Sequence, residues 1–512
     1  MNTPPIEDAP VEPVKPAQRT PWAYVPLLYF MQAIPVTMVQ EVSSVIYKDL
    51  GVNNLEITRW TSLIAIPWTI KLLWGPLVDL NLTKRRWLLG MQALIALTLS
   101  LVAFFIATPK AFQITLGLLF ATAIFSATCD IATDGFYLLA LDKDHQAAFV
   151  GIQSTCYRLG RLFCIGGLVW FEGRLYHSGV NTGTAWLVAI GGGALIYALG
   201  RIIVGYSAPR PEADIQAVLA PGENYKNALR TFTVLLLAVS SYFSLSAIVR
   251  LAAQGLWATI GSANPNGFLK GWMLPPGGPI KEMVQLALCL FASGALFVAT
   301  QKLMKDSEMG AAFSTFFRQK GIAAILAFIF FYRFGEAMVL KMSQLFLKDP
   351  VVNGGLAVNN EQLGLINGVA GVLGLVLGGL VGGLFVSKRG LRGSFWFIAI
   401  SMHLPNLLYL WAAITRPPVW TLYGVSFVDQ FGYGFGYAGY IVYLMRVAQR
   451  SQYRTAHYAI ATGLGALCIM TAGIFSGIVQ MYLGYIGFFS VVMFAAIPGM
   501  LTLLWIPLDE TV

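Results

Sequence analysis

From Trp22 to Pro507 the chain runs in long apolar blocks separated by short polar or turn-rich stretches. About twenty mainly apolar residues in helical form span the hydrocarbon core of a bilayer, and fourteen blocks reach that length. They centre near Phe30, Pro67, Leu97, Ala123, Phe163, Gly193, Ser241, Phe291, Phe331, Gly374, Met402, Tyr433, Ala466 and Phe494. The pattern predicts an all-α integral membrane protein. Residues 1–21 precede the first block, are rich in proline and acidic residues and contain no apolar run, so they read as a disordered tail with no visible signal peptide.

Composition agrees with the pattern and charge gives it an orientation. Hydrophobic residues make up 57% of the 512 and charged residues 11%, whereas a soluble domain carries about a quarter charged. A formal net charge of +10 would admit nucleic acid or anionic lipid as a partner. Its distribution instead follows the lysine and arginine excess on the cytoplasmic side of membrane proteins. With the N-terminus inside, Lys84, Arg85, Arg86, Lys143, Arg210, Lys226, Arg230, Lys302, Lys305, Arg318, Lys320, Lys388, Arg389, Arg392, Arg446, Arg450 and Arg454 all fall on that side. Only Lys48, Lys110, Arg174, Lys270, Lys348 and Arg416 fall clearly outside. An even number of spans then places both termini in the cytoplasm. The five cysteines, Cys129, Cys156, Cys164, Cys289 and Cys468, lie in apolar blocks without disulfide or zinc spacing, so no metal and no cofactor is expected.

Internal symmetry is a common mark of transporter folds, and two segments about three hundred residues apart read alike. Gly75-Pro76-Leu77-Val78-Asp79, followed by Lys84-Arg85-Arg86, is echoed by Gly379-Leu380-Val381-Gly382-Gly383, followed by Lys388-Arg389. At the same offset Asp130 matches Asp429, and Tyr157-Arg158-Leu159-Gly160 aligns with Thr462-Gly463-Leu464-Gly465. The repeat predicts a six-helix bundle over residues 22–208 and a second over 320–508. Between them, residues 209–319 hold the two surplus spans around Ser241 and Phe291, joined by a Gly- and Pro-rich loop and read as accessory packing helices.

Ionisable groups inside these blocks mark candidate chemistry, because charge at membrane depth persists chiefly where it faces a bundle interior or a water-filled path. Asp130 and Asp134 sit at i,i+4, on one helical face. Two carboxylates that close in a low dielectric tend to share a proton, which is what a proton carrier needs. Arg158 and Arg161, one turn apart on the next span, are the expected partners of the aspartates, with Arg158 released to an anionic group on protonation. Arg333 and Glu336 share a helix face and are expected either to pair with each other or to line a central cavity. Asp429 stands alone in its span and needs a partner or a proton; Tyr433, Tyr437 and Tyr440 follow it at helical spacing. Gly75, Asp79, Lys84, Arg85 and Arg86 form a loop whose acid and bases can lock one face of a rocking pair of bundles. Glu41 reads as a residue near the outer entrance and Lys71 as a snorkelling or acid-paired lysine.

The repeated loop resembles that of the major facilitator superfamily. A sharper resemblance is to the AmpG-type muropeptide permeases, whose wider family includes acetyl-coenzyme A transporters. It rests on Lys71-Leu72-Leu73-Trp74-Gly75-Pro76-Leu77-Val78-Asp79 with Arg85-Arg86-Trp87, on Asp130-Ile131-Ala132-Thr133-Asp134, on Tyr157-Arg158-Leu159-Gly160, and on Tyr332-Arg333-Phe334-Gly335-Glu336-Ala337. Two features depart from the muropeptide importers. The extra spans lie between the bundles rather than after the second, and Asp429 is followed by Gln430-Phe431-Gly432 in place of an asparagine and a glycine pair. The resemblance implies the major facilitator fold, here with fourteen spans. It also implies a monomeric inner-membrane secondary transporter importing an anhydro-muropeptide with protons, in cell-wall recycling, by alternating access.

Another sugar, peptide or acyl-nucleotide solute is the nearest alternative. No P-loop is present, which favours an ion gradient over ATP hydrolysis as the energy source. Asp-x-x-x-Asp can also hold magnesium and diphosphate in membrane prenyltransferases, but no second aspartate-rich helix accompanies Asp130 and Asp134, so no enzyme is expected. A sensor that binds without flux is the other class; the cytoplasmic stretches are too short for a signalling domain.

Overall fold

The computed structural model describes residues 20–71, 82–141, 143–212, 308–450 and 453–507, with isolated positions elsewhere. Gly75, Asp79 and Asp142 lie outside the described residues, as does most of the 215–307 stretch where the two accessory spans were expected. Among the described residues the chain makes twelve helical passages. In the first half α1 covers Pro21–Asp49 and α2 comprises Asn54–Leu63 and Ile66–Ile70. Then come α3 at Lys84–Phe105 and α4 at Ala111–Ala140. α5 runs through Lys143–Leu162, Phe163–Val169 and Trp170–His177, and α6 is Thr182–Ser207. In the second half α7 is Ile322–Lys348. α8 and α9 share Asn360–Thr415, α10 is Val419–Gln449, and α11 and α12 share Arg454–Thr502.

Local chemistry sets several of these starts. Asn53, Thr83, Asn181 and Asn359 each accept a hydrogen bond from the backbone N–H three residues on, satisfying an orphan donor of the first turn. Two turns depend on glycine. α8 gives way to α9 at Gly390 (φ 70°, ψ 167°) and α11 to α12 at Gly484 (φ 64°, ψ −173°), a backbone region that is essentially closed to other residues.

Among the described residues, seven helical stretches are long and apolar enough to cross a membrane, and the two that contain these turns, at 56 and 46 residues, are each long enough to cross twice. Leu97, Phe104, Leu195, Leu384 and Phe494 are exposed on these helices, as lipid-facing positions must be. This is a multi-pass membrane protein.

α1 packs against both α4 and α5, α3 against α4 and α6, α10 against the α8–α9 pair, and α7 against the α11–α12 pair. Among the described residues the halves meet chiefly where α2 packs on α11, where α5 packs on α8, and where the end of α1 and the start of α2 pack on α7. At the second of these the backbones nearly touch, since a Cβ on Gly368 would lie 2.3 Å from the Gly166 Cα. Three wide π turns occur in these helices, at Met38–Val42 after Pro35 in α1, at Phe163–Val169 in α5 and at Gly364–Gly371 in α8. Such turns recur at functional sites. Cys129, Cys164 and Cys468 are buried with free thiols, as expected of small apolar fillers.

Replacing Gly484 by Val should lower the thermal unfolding midpoint in detergent by an amount equivalent to about 1–3 kcal/mol. Gly424→Ala, in open space within α10, should leave the midpoint unchanged or raise it.

Candidate functional site

α1 is the source of the polar groups that meet the charges of its neighbours. Its Gln32 donates to Asp130 Oδ1 of α4 at 2.9 Å, and Lys71, just past α2, reaches Asp130 Oδ2 at 3.2 Å. Asp130 is therefore buried and neutralised within the first half. One turn further along α4, Asp134 is exposed. Its neighbours are Tyr29 of α1 and Lys71, so it opens onto space between helices rather than onto lipid.

At the π turn α1 faces α5. Glu41 accepts from Arg161 Nε and Nη2 at 2.8 and 2.9 Å, a bidentate pair whose side chains are 17% and 14% exposed. This differs from the expected pairing of Arg158 and Arg161 with the aspartates. The reason is packing: α1 lies between α4 and α5, serving the former through Gln32 and the latter through Glu41. Arg158 instead touches the second half, with Nη1 3.5 Å from the Leu375 carbonyl of α8. A Cβ on Gly379 would lie 2.9 Å from the Arg158 guanidinium, so this glycine makes the room for it.

The second half approaches the same level through α7. Lys341 donates to the Gln40 carbonyl at 3.1 Å and Gln344 to Glu41 at 3.4 Å. Arg333 turns away from Glu336, toward α10. It donates to the Tyr433 hydroxyl at 2.8 Å and lies 5.9, 4.8 and 5.3 Å from the ring centres of Tyr433, Tyr437 and Tyr440. The tyrosine row thus forms a cation–π cage. Glu336 and Asp429 are both buried, next to each other, with Gln430 donating to Asp429 at 3.0 Å.

At the end of the bundle where α1 finishes, the halves are sealed by polar contacts. Asp49 accepts from Lys348, from Asn360 at 2.7 Å and from Trp186 at 3.0 Å; Asn360 also donates to Glu172. Beside it Lys48 pairs with Asp349, which further accepts from Tyr485 and, at 2.7 Å, from Asn54. His177 meets Glu361 at 3.0 Å. Lys48 and Lys348, two of the few cations expected on the outer side, are thus each paired with an acid of the opposite half. The interbundle contacts named here run from mid-helix to this end.

At the other end, the described part of the expected locking loop is a helix start. Asp214 accepts from the backbone N–H groups of Lys84 and Arg85 at 2.7 and 3.0 Å, and Arg85 donates to the Gly205 carbonyl at 2.6 Å. Arg86 is exposed. A carboxylate on the first-turn N–H groups of α3 is favoured by charge-assisted hydrogen bonding and by the helix dipole.

Sequence reasoning did not identify Gln32, Gln344 or the Asp49 and Asp349 pairs; it placed Glu41 near the outer entrance, and the structure sets it beneath the polar seal. Pro35 was the available signal for α1, since a proline within a helix breaks the hydrogen-bond ladder and exposes the following turn.

The sequence profile described as the BT1 family matches residues 36–410. The chain is similar to an uncharacterised protein of Haemophilus influenzae (strain Rd), 22% identical over 498 residues that cover 94% of this chain and 93% of that protein. It is also similar to the anhydromuropeptide permease of Escherichia coli (strain K12), 20% identical over 485 residues, covering 93% and 78% respectively. Among solved structures, a peptide transporter POT in complex with sulfate aligns with a TM-score of 0.59 at 13% identity, covering 94% of this chain and 93% of that one. The xylose transporter XylE from E. coli aligns with a TM-score of 0.57 at 12% identity, covering 94% and 97%. The fold is that of the major facilitator transporters.

Glu41→Leu alone should destabilise the protein by about 3–5 kcal/mol by stranding the Arg161 charge. The double variant Glu41→Leu/Arg161→Met should recover most of that loss, as read from thermal unfolding midpoints in detergent.

Proposed function

The chain belongs to the BT1 family, and from that premise we propose that it is a secondary active transporter that imports an anhydro-muropeptide with protons. It works as a monomer in the inner membrane with both termini in the cytoplasm. The observation that carries this reading is the placement of charge: groups from both halves converge at mid-helix beneath a polar seal at one end. The sealed end is the outer face, because the basic residues expected inside gather at the opposite ends of the helices. The state is therefore closed to the outside, and alternating access requires the Asp49–Lys348–Asn360 and Lys48–Asp349 contacts to break together as the halves rock.

Within that cycle the first-half aspartates divide the work. Asp130 is held by Gln32 and Lys71 and positions Lys71. Asp134, exposed and one turn away, carries the proton: gaining it removes a negative charge beside Asp130 and strengthens the hold of Lys71 on that partner. Arg158, set at the seam with α8, anchors an anionic group of the solute, and the Arg333–tyrosine cage supplies the aromatic wall opposite. The relatives with functional names are permeases and transporters, which leaves the prenyltransferase alternative without support.

Labelled GlcNAc-anhydro-MurNAc peptide should accumulate in proteoliposomes under an inward proton gradient, and a protonophore should abolish the accumulation. No uptake by folded protein, with uptake of another sugar, peptide or acyl-nucleotide solute in its place, would discard the muropeptide and keep the transporter. Asp134→Asn should retain solute exchange and lose concentrative uptake; a variant that still concentrates solute against its gradient would remove Asp134 as the carrier. Asp349→Asn should weaken the seal, seen as faster maleimide labelling of a cysteine introduced just beneath it.

A further inference from the structure

The second half contains a buried polar cluster that differs from its counterpart in the first. In the first half the α4 aspartate Asp130 meets Lys71. Its sequence counterpart, Asp429 of α10, has the carboxylate of Glu336 for a neighbour. On the α8 side of this cluster stands Gly371, whose Cβ would lie 3.0 Å from Ser426 Oγ and 3.4 Å from Gln430 Cγ. The register of the helices brings the cluster together. Tyr332 of α7 stacks on Tyr440 of α10 at 5.9 Å and lies 5.8 Å from His403 of α9. One turn on from Tyr332 and His403, Glu336 and Asn406 face each other.

Among the described residues, Oδ1 of Asp429, Oε1 of Gln430 and both amide atoms of Asn406 have no hydrogen-bond partner of ordinary geometry, nor do the two oxygens of Glu336, whose one polar neighbour on α9 is the Asn406 amide. The exposures of these four residues, in that order, are 2%, 9%, 0% and 2%. Arg333 lies one turn away with its guanidinium committed to the tyrosine cage. It balances one negative charge of the pair and leaves one, which a single monovalent cation would balance.

We propose that Glu336, Asp429, Asn406 and Gln430 form a sodium-binding site within the second bundle. Hard cations take oxygen ligands, carboxylates and amide carbonyls among them, and this is the donor set the cluster presents. A proton, the ion expected at Asp429 from sequence, would neutralise one carboxylate and supply a single O–H donor, which can serve one of the amide oxygens of Asn406 and Gln430 and leaves the other without a partner. Sodium satisfies all four side chains at once. The site adds a second ion to the transport cycle, and it stands independently of the solute and of Asp134.

The test uses purified full-length protein in detergent at constant ionic strength, comparing sodium, potassium and choline chlorides. Sodium alone should raise the unfolding midpoint by about 2–5 °C at saturation, and radioactive sodium should bind saturably. Glu336→Gln and Asp429→Asn should each lose both effects. Equal midpoints for the wild-type protein in all three salts, with no saturable sodium binding, would overturn the site without requiring any variant to fold. Sodium binding that persists in both variants would also overturn it. A midpoint that responds to pH in wild type and not in Asp429→Asn, without sodium dependence, would assign the cluster to a proton instead.

Discussion

A charge placed among helices in a bilayer must find its counter-charge inside the protein, and in the first half α1 makes that possible. It is wedged between α4 and α5, and its polar residues point both ways: Gln32 to Asp130 on one side, Glu41 to Arg161 on the other. The helix is broken to do so. Pro35 interrupts the ladder and the π turn Met38–Val42 follows, which brings Glu41 to Arg161 and leaves the Gln40 carbonyl for Lys341 of the second half. The same few residues thus tie the first bundle together and join it to its partner.

Against that fixed centre the two ends of the molecule differ. At the end where α1 finishes, acids of one half hold lysines of the other, and asparagines and a tyrosine fill the remaining hydrogen-bond sites. Such pairs stabilise strongly only while both partners remain, so the seal suits a contact that breaks as a unit. Nearer mid-helix, α5 and α8 cross with Gly166 against Gly368, where no side chain could be inserted without separating the halves. A pivot of bare backbone beneath a polar seal provides the mechanics for one bundle to rock on the other. The two halves also handle their aspartates differently. The first gives Asp130 a lysine, and the second sets Asp429 beside another acid, so repetition of the fold has not meant repetition of the electrostatics.

Much of the architecture was legible from the chain. The apolar blocks gave the helices, the repeat gave the correspondence of Asp130 with Asp429, and the echo of Gly379 followed by Lys388-Arg389 lies just before the turn that the structure places at Gly390. Lys71 was recognised as a candidate partner for an acid. The pairings of Arg158, Arg161, Arg333 and Glu336 were not legible, because sequence spacing shows which residues share a helix face but not which neighbouring helix that face meets. Arg333 and Glu336 are one turn apart, yet Arg333 meets three tyrosine rings on α10, a neighbour that spacing along α7 does not reveal.

The chain shows without its fold that this is a helical membrane protein built from a repeated unit, since hydrophobic length, charge asymmetry and internal similarity need no knowledge of the packing. It also determined which buried charges required an explanation, because the expense of burying them does not depend on where the helices pack. How each was answered came from the packing of the helices: Asp130 by Lys71, Glu41 by Arg161, Arg333 by its aromatic cage, Lys48 and Lys348 by acids across the seam. Those pairings join residues up to 301 positions apart, and contacts of that range follow from the packing of whole helices rather than from any local pattern.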